Sequence, residues 1–316
     1  MPQIDVHSST VGDEIEQVRG DSLRLGRLDP KLLYVSEQQA ALWREVFLKH
    51  SPIHGNPEFA RIYREAYGHT ADCLVGGEVH LVGLGCGTGL KEAELSRCLR
   101  ASGRVVEFSA IDVSRDLVEE AARHVAETGA GAERHLVCDL AEIDFLKQWL
   151  DSAGRAAPRL FTFFGLVPNL EPGSVVRLCR EIVRPGDVLL VSVHLAPVSE
   201  GVDLASAMKR ILPQYDNAET LAWLQAARDE LRLREVIGEP RVVLGEHGSI
   251  PCLRGVAVWK SRAILEDEFV LFQSLRYTPA RFEELLRGQG LAVECLAITA
   301  CREEGIWAVR VAEAVR

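Results

Sequence analysis

The chain has 316 residues, 47% hydrophobic and 26% charged, with a formal net charge of −10. Its 36 basic residues are interleaved with 46 acidic ones, so no basic track for a phosphate backbone is read, and a small-molecule partner is expected rather than nucleic acid. The longest apolar runs, such as Val188–Val193, have strand length, so no membrane span is expected.

In chain order, residues 1–30 are polar without a clear period and are expected to be loose or draped over the body. The first residues show neither the basic nor the apolar region of a secretory signal, and a cytoplasmic location is expected. Apolar residues recur at helical spacing over Ser36–Lys49 and Pro57–Leu74, with Asn56 and Pro57 as a cap and first-turn pair. From Gly76 the period changes. EVHLVGLG, VVEFSAID, HLVCDL, LFTFFGLV and PGDVLLVSVHL are short apolar strands separated by helices, with Ser114 expected to cap the helix from Arg115. Five such units predict a parallel sheet covered on both faces. Beyond Pro197, helices are expected at Val202–Leu212 and Ala218–Leu233, and strands at Arg241–Gly245, Gly255–Trp259 and FVLFQSLRYT. A helix at Pro279–Gln289 and a hairpin of Ala292–Thr299 with Gly305–Ala312 follow. A terminal helix and hairpin suit a seven-stranded sheet with one antiparallel strand. Eight scattered cysteines without CxxC spacing read as reduced, mostly buried thiols, and no metal site is expected.

The decisive segment is HLVGLGCGTGLKEAEL, residues 80–95. A glycine-rich turn between a strand and a helix lets the backbone approach a nucleotide closely. A dinucleotide fingerprint needs its third glycine three residues after the second, which is Leu90 here. The third glycine is instead Gly89, giving GxGxG from Gly85 and Gly87. That spacing suits a nucleoside without a pyrophosphate and resembles the class I methyltransferases, whose cofactor is S-adenosylmethionine. Asp112 ends the second strand, where it can accept from ribose hydroxyls. Asp139 ends the third, where it can accept from an adenine amino group with Leu140 against the ring. The acid such enzymes carry two residues before the loop is replaced by Gly83.

Several segments resemble a narrower group: the histidine-specific methyltransferases of the ergothioneine pathway, with their dimethylallyltryptophan N-methyltransferase relatives. Lys91 matches the lysine opening that family's loop helix. FFGLVPNLEP is similar to "FLGSTIGN…P" with one residue deleted, QYDNAETLAWLQAARDEL to "YDD…TAxFNxNxL", FQSLRYTPARFEELLRGQGL to the "EVSxKY" strand and helix, and DPKLLYVSEQQAALW to "YDxxGSxLF". The resemblance implies cofactor contacts at Gly85, Cys86, Gly87, Lys91, Asp112, Asp139 and Leu140. It implies acceptor contacts at Tyr34, Asn169, Tyr215, Phe272 and Ser274, with Tyr34, His54 and Tyr215 as candidate proton acceptors. Two departures bear on the acceptor. The family's imidazole-binding glutamate aligns with Phe272, and the aspartate after the fifth strand is His194. A site that loses such an acceptor discriminates against the substrate it served, so histidine itself is not the expected acceptor.

The reading is an α/β class I methyltransferase in four parts. Residues 1–75 are an N-terminal helical segment, 76–198 the S-adenosylmethionine-binding Rossmann-like core, 199–265 a substrate-binding insertion, and 266–316 strands and a helix completing the core sheet. The expected reaction is N-methylation of a free amino acid or amino-acid-derived metabolite. A non-catalytic binding relative, or O- or C-methylation of another small metabolite, stands as the alternative.

Overall fold

A computed structural model describes residues 2–132, 134–152, 158–198, 203–260 and 268–312. The elements follow in chain order as β1 (Gln3–Val6), α1 (Gly12–Leu25), α2 (Glu37–His50), α3 (Pro52–Gly55), α4 (Pro57–Cys73), β2 (Glu78–Leu84) and α5 (Leu90–Ala101). Next come β3 (Val105–Asp112), α6 (Arg115–Ala126), β4 (Arg134–Val137), α7 (Ile143–Ser152), β5 (Arg159–Phe163), α8 (Pro172–Ile182) and β6 (Val188–His194). The chain ends with α9 (Leu204–Ile211), α10 (Ala218–Glu230), β7 (Arg241–His247), β8 (Ile250–Val258), β9 (Glu268–Leu275), α11 (Pro279–Arg287), β10 (Leu291–Ile298) and β11 (Glu304–Val311).

The large sheet has the order β1-β4-β3-β2-β5-β6-β11-β10. All neighbouring pairs from β1 to β6 are parallel, and β11 is antiparallel to both β6 and β10. The seven expected strands therefore form one sheet with a single antiparallel strand, as expected, and β1 adds an eighth at the edge. The alternation reads through because β2, β3, β5 and β6 are buried on both faces, which leaves near-continuous Val, Ile, Leu and Phe in the sequence.

The first 30 residues are neither loose nor without structure. β1 pairs with β4, and Asp5 is held there by Arg134 at 2.6 Å and by the Trp149 indole N–H at 2.7 Å. Four residues are too few to show a two-residue period, and α1 buries only Ser22 fully, so hydrophobic patterning carried no signal for either element. Ser114 occupies the N-cap position of α6 without a side-chain hydrogen bond, contrary to expectation. Asn56 does cap α4, accepting from the Glu58 N–H. Four of the cysteines are buried, whereas Cys73 and Cys295 are exposed.

A second, three-stranded antiparallel sheet has the order β7-β8-β9. β9, expected to complete the core sheet, belongs here instead. Seven of its eight residues are buried, which reads like a core strand, but the burial comes from α10, the N-terminal segment and the Val167–Asn169 turn. Leu28, Leu32, Leu33 and Tyr34 pack with Trp223, Leu224 and Ala227 of α10 and with Phe269, Leu271 and Phe272 of β9. The Trp223 indole donates to the Leu33 carbonyl at 3.0 Å across this small core. Val202 and residues 261–265, expected within the insertion, lie outside the described residues. No helix among the described residues is long and apolar enough to cross a membrane.

Candidate active site

Ligands of open α/β sheets sit at the carboxyl ends of the strands, and there β2 runs into the glycine loop. Gly85, Gly87 and Gly89 have φ of +61°, +52° and +71°, a region that residues with a Cβ seldom adopt. The loop is fastened back to β3, because the Gly85 and Cys86 N–H groups donate to the Ile111 carbonyl at 2.8 and 3.1 Å. A Cβ on Gly89 would lie 2.5 Å from the Ala121 backbone of α6, so that glycine serves packing of helix against helix. A Cβ on Gly87 would meet the Trp43 ring of α2 at 2.9 Å.

Asp112, at the end of β3, is 7% exposed. Its carboxylate accepts from the Gly87 N–H at 3.1 Å and the Ser114 N–H at 3.0 Å, leaving further lone pairs on both oxygens. Burial pushes its pKa up to about 6, against the lowering effect of the backbone donors from Ser114, Gly87 and Val113. Asp139 follows β4 and takes the Ala141 N–H at 2.9 Å and the buried Lys31 ammonium at 3.0 Å. Lys31 also donates to the Ser9 carbonyl at 3.1 Å, so the N-terminal segment is clamped against the strand end.

One cavity of about 240 Å³ gathers Gly85, Cys86, Gly87, Lys91, Asp112, Asp139 and Leu140 with Tyr34, Asn169, Tyr215 and Phe272. Two expected residues are not in its wall. His54 stands beside the Phe47 ring, 4.7 Å between centroids, and Ser274 is fully buried behind Tyr215, whose hydroxyl lies 3.2 Å from it. Asn169 is not a helix cap; that position before α8 is Glu171. Part of the cavity wall is a chain of rings. Phe272 stacks on Tyr215 at 5.7 Å and meets Trp223 edge-on, Trp223 meets Tyr34, and Tyr34 leads to Trp43 and Phe47.

Protonation in the cavity follows from its burial. The Tyr34 phenol is held above its ordinary value by burial and by the charges of Asp112 and Tyr215, so it is a donor rather than a base. His194 is pushed well below the usual histidine range by burial, then by Arg276 and Lys91, and His54 is lowered by burial and by Lys91. Both are neutral imidazoles near pH 7. Lys91 is lowered by burial. Its ammonium donates to the Tyr63 hydroxyl at 2.8 Å, and Tyr63 in turn donates to Glu304. Among the described residues no cluster of three or more His, Cys, Asp or Glu could hold a metal ion.

Of the cavity residues that escaped the sequence reading, three bear on the shape of the site. Trp43 and Trp223 are ordinary amphipathic helix positions until the fold places them. Glu92 is the third. Gly83 lacks a side chain, and a Cβ there would lie 3.4 Å from the Glu92 Cγ. Glu92, 3% exposed, folds back from α5 into that space and accepts from Thr162, which pairs with Gly83 across β2 and β5, at 2.8 Å. The acid missing from the strand end thus stands in the cavity wall from the helix.

Residues 57–222 match the family described as histidine-specific, S-adenosylmethionine-dependent methyltransferases. No curated protein matches the chain. Among solved structures, one similar chain is an S-adenosylmethionine-dependent methyltransferase from Clostridium acetobutylicum ATCC 824, at 12% identity and TM-score 0.49, covering 85% of this chain and 98% of that one. Another is the sugar N-methyltransferase KedS8 from Streptoalloteichus sp ATCC 53650, at 14% identity and TM-score 0.44, covering 85% and 93%. A third is CalS10, an amino pentose methyltransferase from Micromonospora echinaspora, at 12% identity and TM-score 0.39, covering 79% and 91%.

Proposed function

The chain belongs to the family of histidine-specific, S-adenosylmethionine-dependent methyltransferases, and from that premise we propose that it N-methylates a free amino acid or amino-acid-derived metabolite other than histidine. The observation that carries this reading is the continuity of one cavity from the glycine loop and Asp112 to Asn169, Tyr34, Tyr215 and Phe272.

The residues at the strand ends fit the cofactor. Val113, Leu140 and Leu166 offer apolar walls beside Asp112 and Asp139, the surroundings a nucleoside needs. Asp112 is placed to take ribose hydroxyls and Glu92 to take the methionine ammonium. Asp139, with one donor on each oxygen, keeps lone pairs for an amino group. Bound S-adenosylmethionine supplies an activated methyl group on its sulfonium, so the protein's task is alignment and exclusion of water. Asn169 and the Tyr34 hydroxyl hold the amino-acid moiety of the acceptor. The ring chain from Phe47 to Tyr215 excludes water around the amine. That amine must present a lone pair; burial, Arg276 and Lys91 disfavour a proton on His194, and the Tyr34 phenol is a donor, so the amine enters in its neutral form, its proton left to water. With Phe272 in place of a carboxylate, the pocket offers an imidazole N–H an aromatic face and no acceptor.

Mass spectrometry of products, after incubating purified protein with S-adenosylmethionine and a panel of amino acids and amines, tests the reading. A product methylated on nitrogen supports it. Efficient methylation of histidine would overturn the role given to Phe272. Methylation on oxygen or carbon would overturn the chemistry. Absence of S-adenosylhomocysteine binding would mark a non-catalytic relative.

A further inference from the structure

Buried cations in this molecule come with carboxylates. Arg228, 2% exposed, pairs with Asp229 at 3.2 Å and Glu239 at 2.8 Å and donates to the Gly238 carbonyl. Arg159 pairs with Asp151 at 2.8 Å and donates to the Leu150 carbonyl. Lys31 has Asp139, and Lys91 reaches Glu304 through Tyr63. Such pairing is what makes a buried charge tolerable, since an ion taken out of water unpaired is costly.

Arg276 breaks this pattern. It follows β9, is 2% exposed, and lines the cavity. Its guanidinium donates one side-chain hydrogen bond among the described residues, from Nη2 to the Tyr215 hydroxyl at 2.9 Å, and its buried Nε has no partner. Two carboxylates of the same cavity wall, Glu303 and Glu304, accept from Gln214 at 2.8 Å and from Tyr63, and among the described residues neither pairs with Arg276. The neighbouring His194 is neutral and brings no compensating charge. Unlike a lysine, an arginine cannot relieve the strain by losing its proton. A guanidinium that lines the cavity with donor capacity uncommitted is a fork suited to a planar anion.

We propose that Arg276 is the counterion of a second carboxylate on the methyl acceptor, making that acceptor an amino dicarboxylic acid or a close relative. The inference rests on the amino-acid reading above, in which Asn169 and Tyr34 already take the amino-acid moiety. Phe272 then walls the aliphatic stem, Tyr215 orients the guanidinium, and the side-chain carboxylate ends on Arg276. The same arrangement accounts for the loss of a glutamate at position 272, since a second carboxylate there would compete for Arg276 and repel the acceptor.

Calorimetry on the S-adenosylhomocysteine-loaded protein tests the proposal with matched acid and amide pairs: aspartate with asparagine, glutamate with glutamine, and 2-aminoadipate with its side-chain amide. At least one acid should bind about tenfold or more tightly than its own amide, the discrimination expected when a buried charge is left unpaired. In Arg276→Gln that preference should vanish while S-adenosylhomocysteine still binds. In Arg276→Lys, which keeps the charge, it should persist in weaker form. If no acid exceeds its amide in the unaltered protein, the proposal is overturned whether or not the variants fold. Methylation of neutral amino acids without acid preference would sink this proposal and leave the amino-acid reading standing. A tightly bound acid methylated on oxygen or carbon would do the reverse.

Discussion

The carboxyl edge of the large sheet and the small sheet facing it build their halves of the cavity by different means. On the cofactor side the working groups belong to short, consecutive stretches: a loop of three left-handed glycines and the last residues of β3 and β4. Much of the binding surface there is backbone, fixed by φ and by strand register. Where the acceptor is proposed to bind, the wall is made of side chains from three separate regions, with Tyr34 and Trp43 near the start of the chain, Tyr215 just before α10 and Trp223 within it, and Phe272 on β9. A backbone site is hard to alter without losing it, whereas a side-chain site can be re-specified one residue at a time. Under the proposed assignment, this contrast would let a chain keep a family's cofactor loop while carrying Phe272 where the resemblance puts an imidazole-binding glutamate.

The largest effect is expected where the backbone is touched. Gly87→Val places a β-branched residue at φ +52° under the Trp43 ring, a conformation such side chains avoid. S-adenosylhomocysteine affinity by calorimetry should fall by a factor of about a hundred or more, while the melting temperature drops by only a few degrees, roughly the cost of one strained residue. Near-normal affinity in that variant would mean the loop does not cradle the cofactor. Glu92→Gln comes next. It keeps the shape and the Thr162 hydrogen bond but removes a charge from the place left open by Gly83. Affinity for S-adenosylhomocysteine should fall about tenfold or somewhat more, as for a charge-assisted hydrogen bond made neutral, and much less for adenosine, which has no ammonium group. Equal losses for both ligands would assign Glu92 to the fold rather than to the methionine end.

The two halves also differed in how far they could be read from sequence. GxGxG spacing and the strand-end aspartates are local patterns, so the glycine turn after β2, the positions of Asp112 and Asp139, and a seven-stranded sheet with one antiparallel strand were legible in the chain alone. The resemblance to a family added Tyr34, Asn169, Tyr215 and Phe272, all of which stand in one cavity. Glu92, Trp43, Trp223 and Arg276 were not legible because their meaning depends on long-range packing: the Trp223 indole meets Leu33, 190 positions away. His54 and Ser274 were drawn in by alignment and stand outside the cavity wall, Ser274 by one layer. β9 was misassigned for a related reason. Its burial against α10, the N-terminal segment and the Val167–Asn169 turn gives it the composition of a central strand.

Acidification separates the halves without a mutation. The Asp112 carboxyl, pushed up to about 6 by burial, must be ionised to accept from ribose hydroxyls. Affinity for S-adenosylhomocysteine should therefore be flat above pH 7 and weaken roughly tenfold by pH 5, one unit below that value. The stability term from this residue runs the opposite way. A group whose folded pKa lies above its unfolded value of 3.8 contributes stability that is fully present below that value and is lost as the pH rises through about 6. Affinity that falls while Asp112's own stability term grows cannot be charged to that residue's unfolding. Asp112 would be released from its assigned role if affinity were unchanged between pH 7.5 and pH 5.

The smallest expected effect lies on the acceptor side. Tyr34 packs its ring between Trp43 and Trp223, and no described residue hydrogen-bonds its hydroxyl. Tyr34→Phe keeps the packing and removes one neutral donor from the cavity, worth roughly 1 kcal/mol. The acceptor's KM should rise about fivefold, with S-adenosylhomocysteine affinity and melting temperature unchanged. A parallel loss of cofactor affinity would place the hydroxyl at Asp112, whose charge already bears on it, and would move Tyr34 from the side-chain half of the cavity to the backbone half.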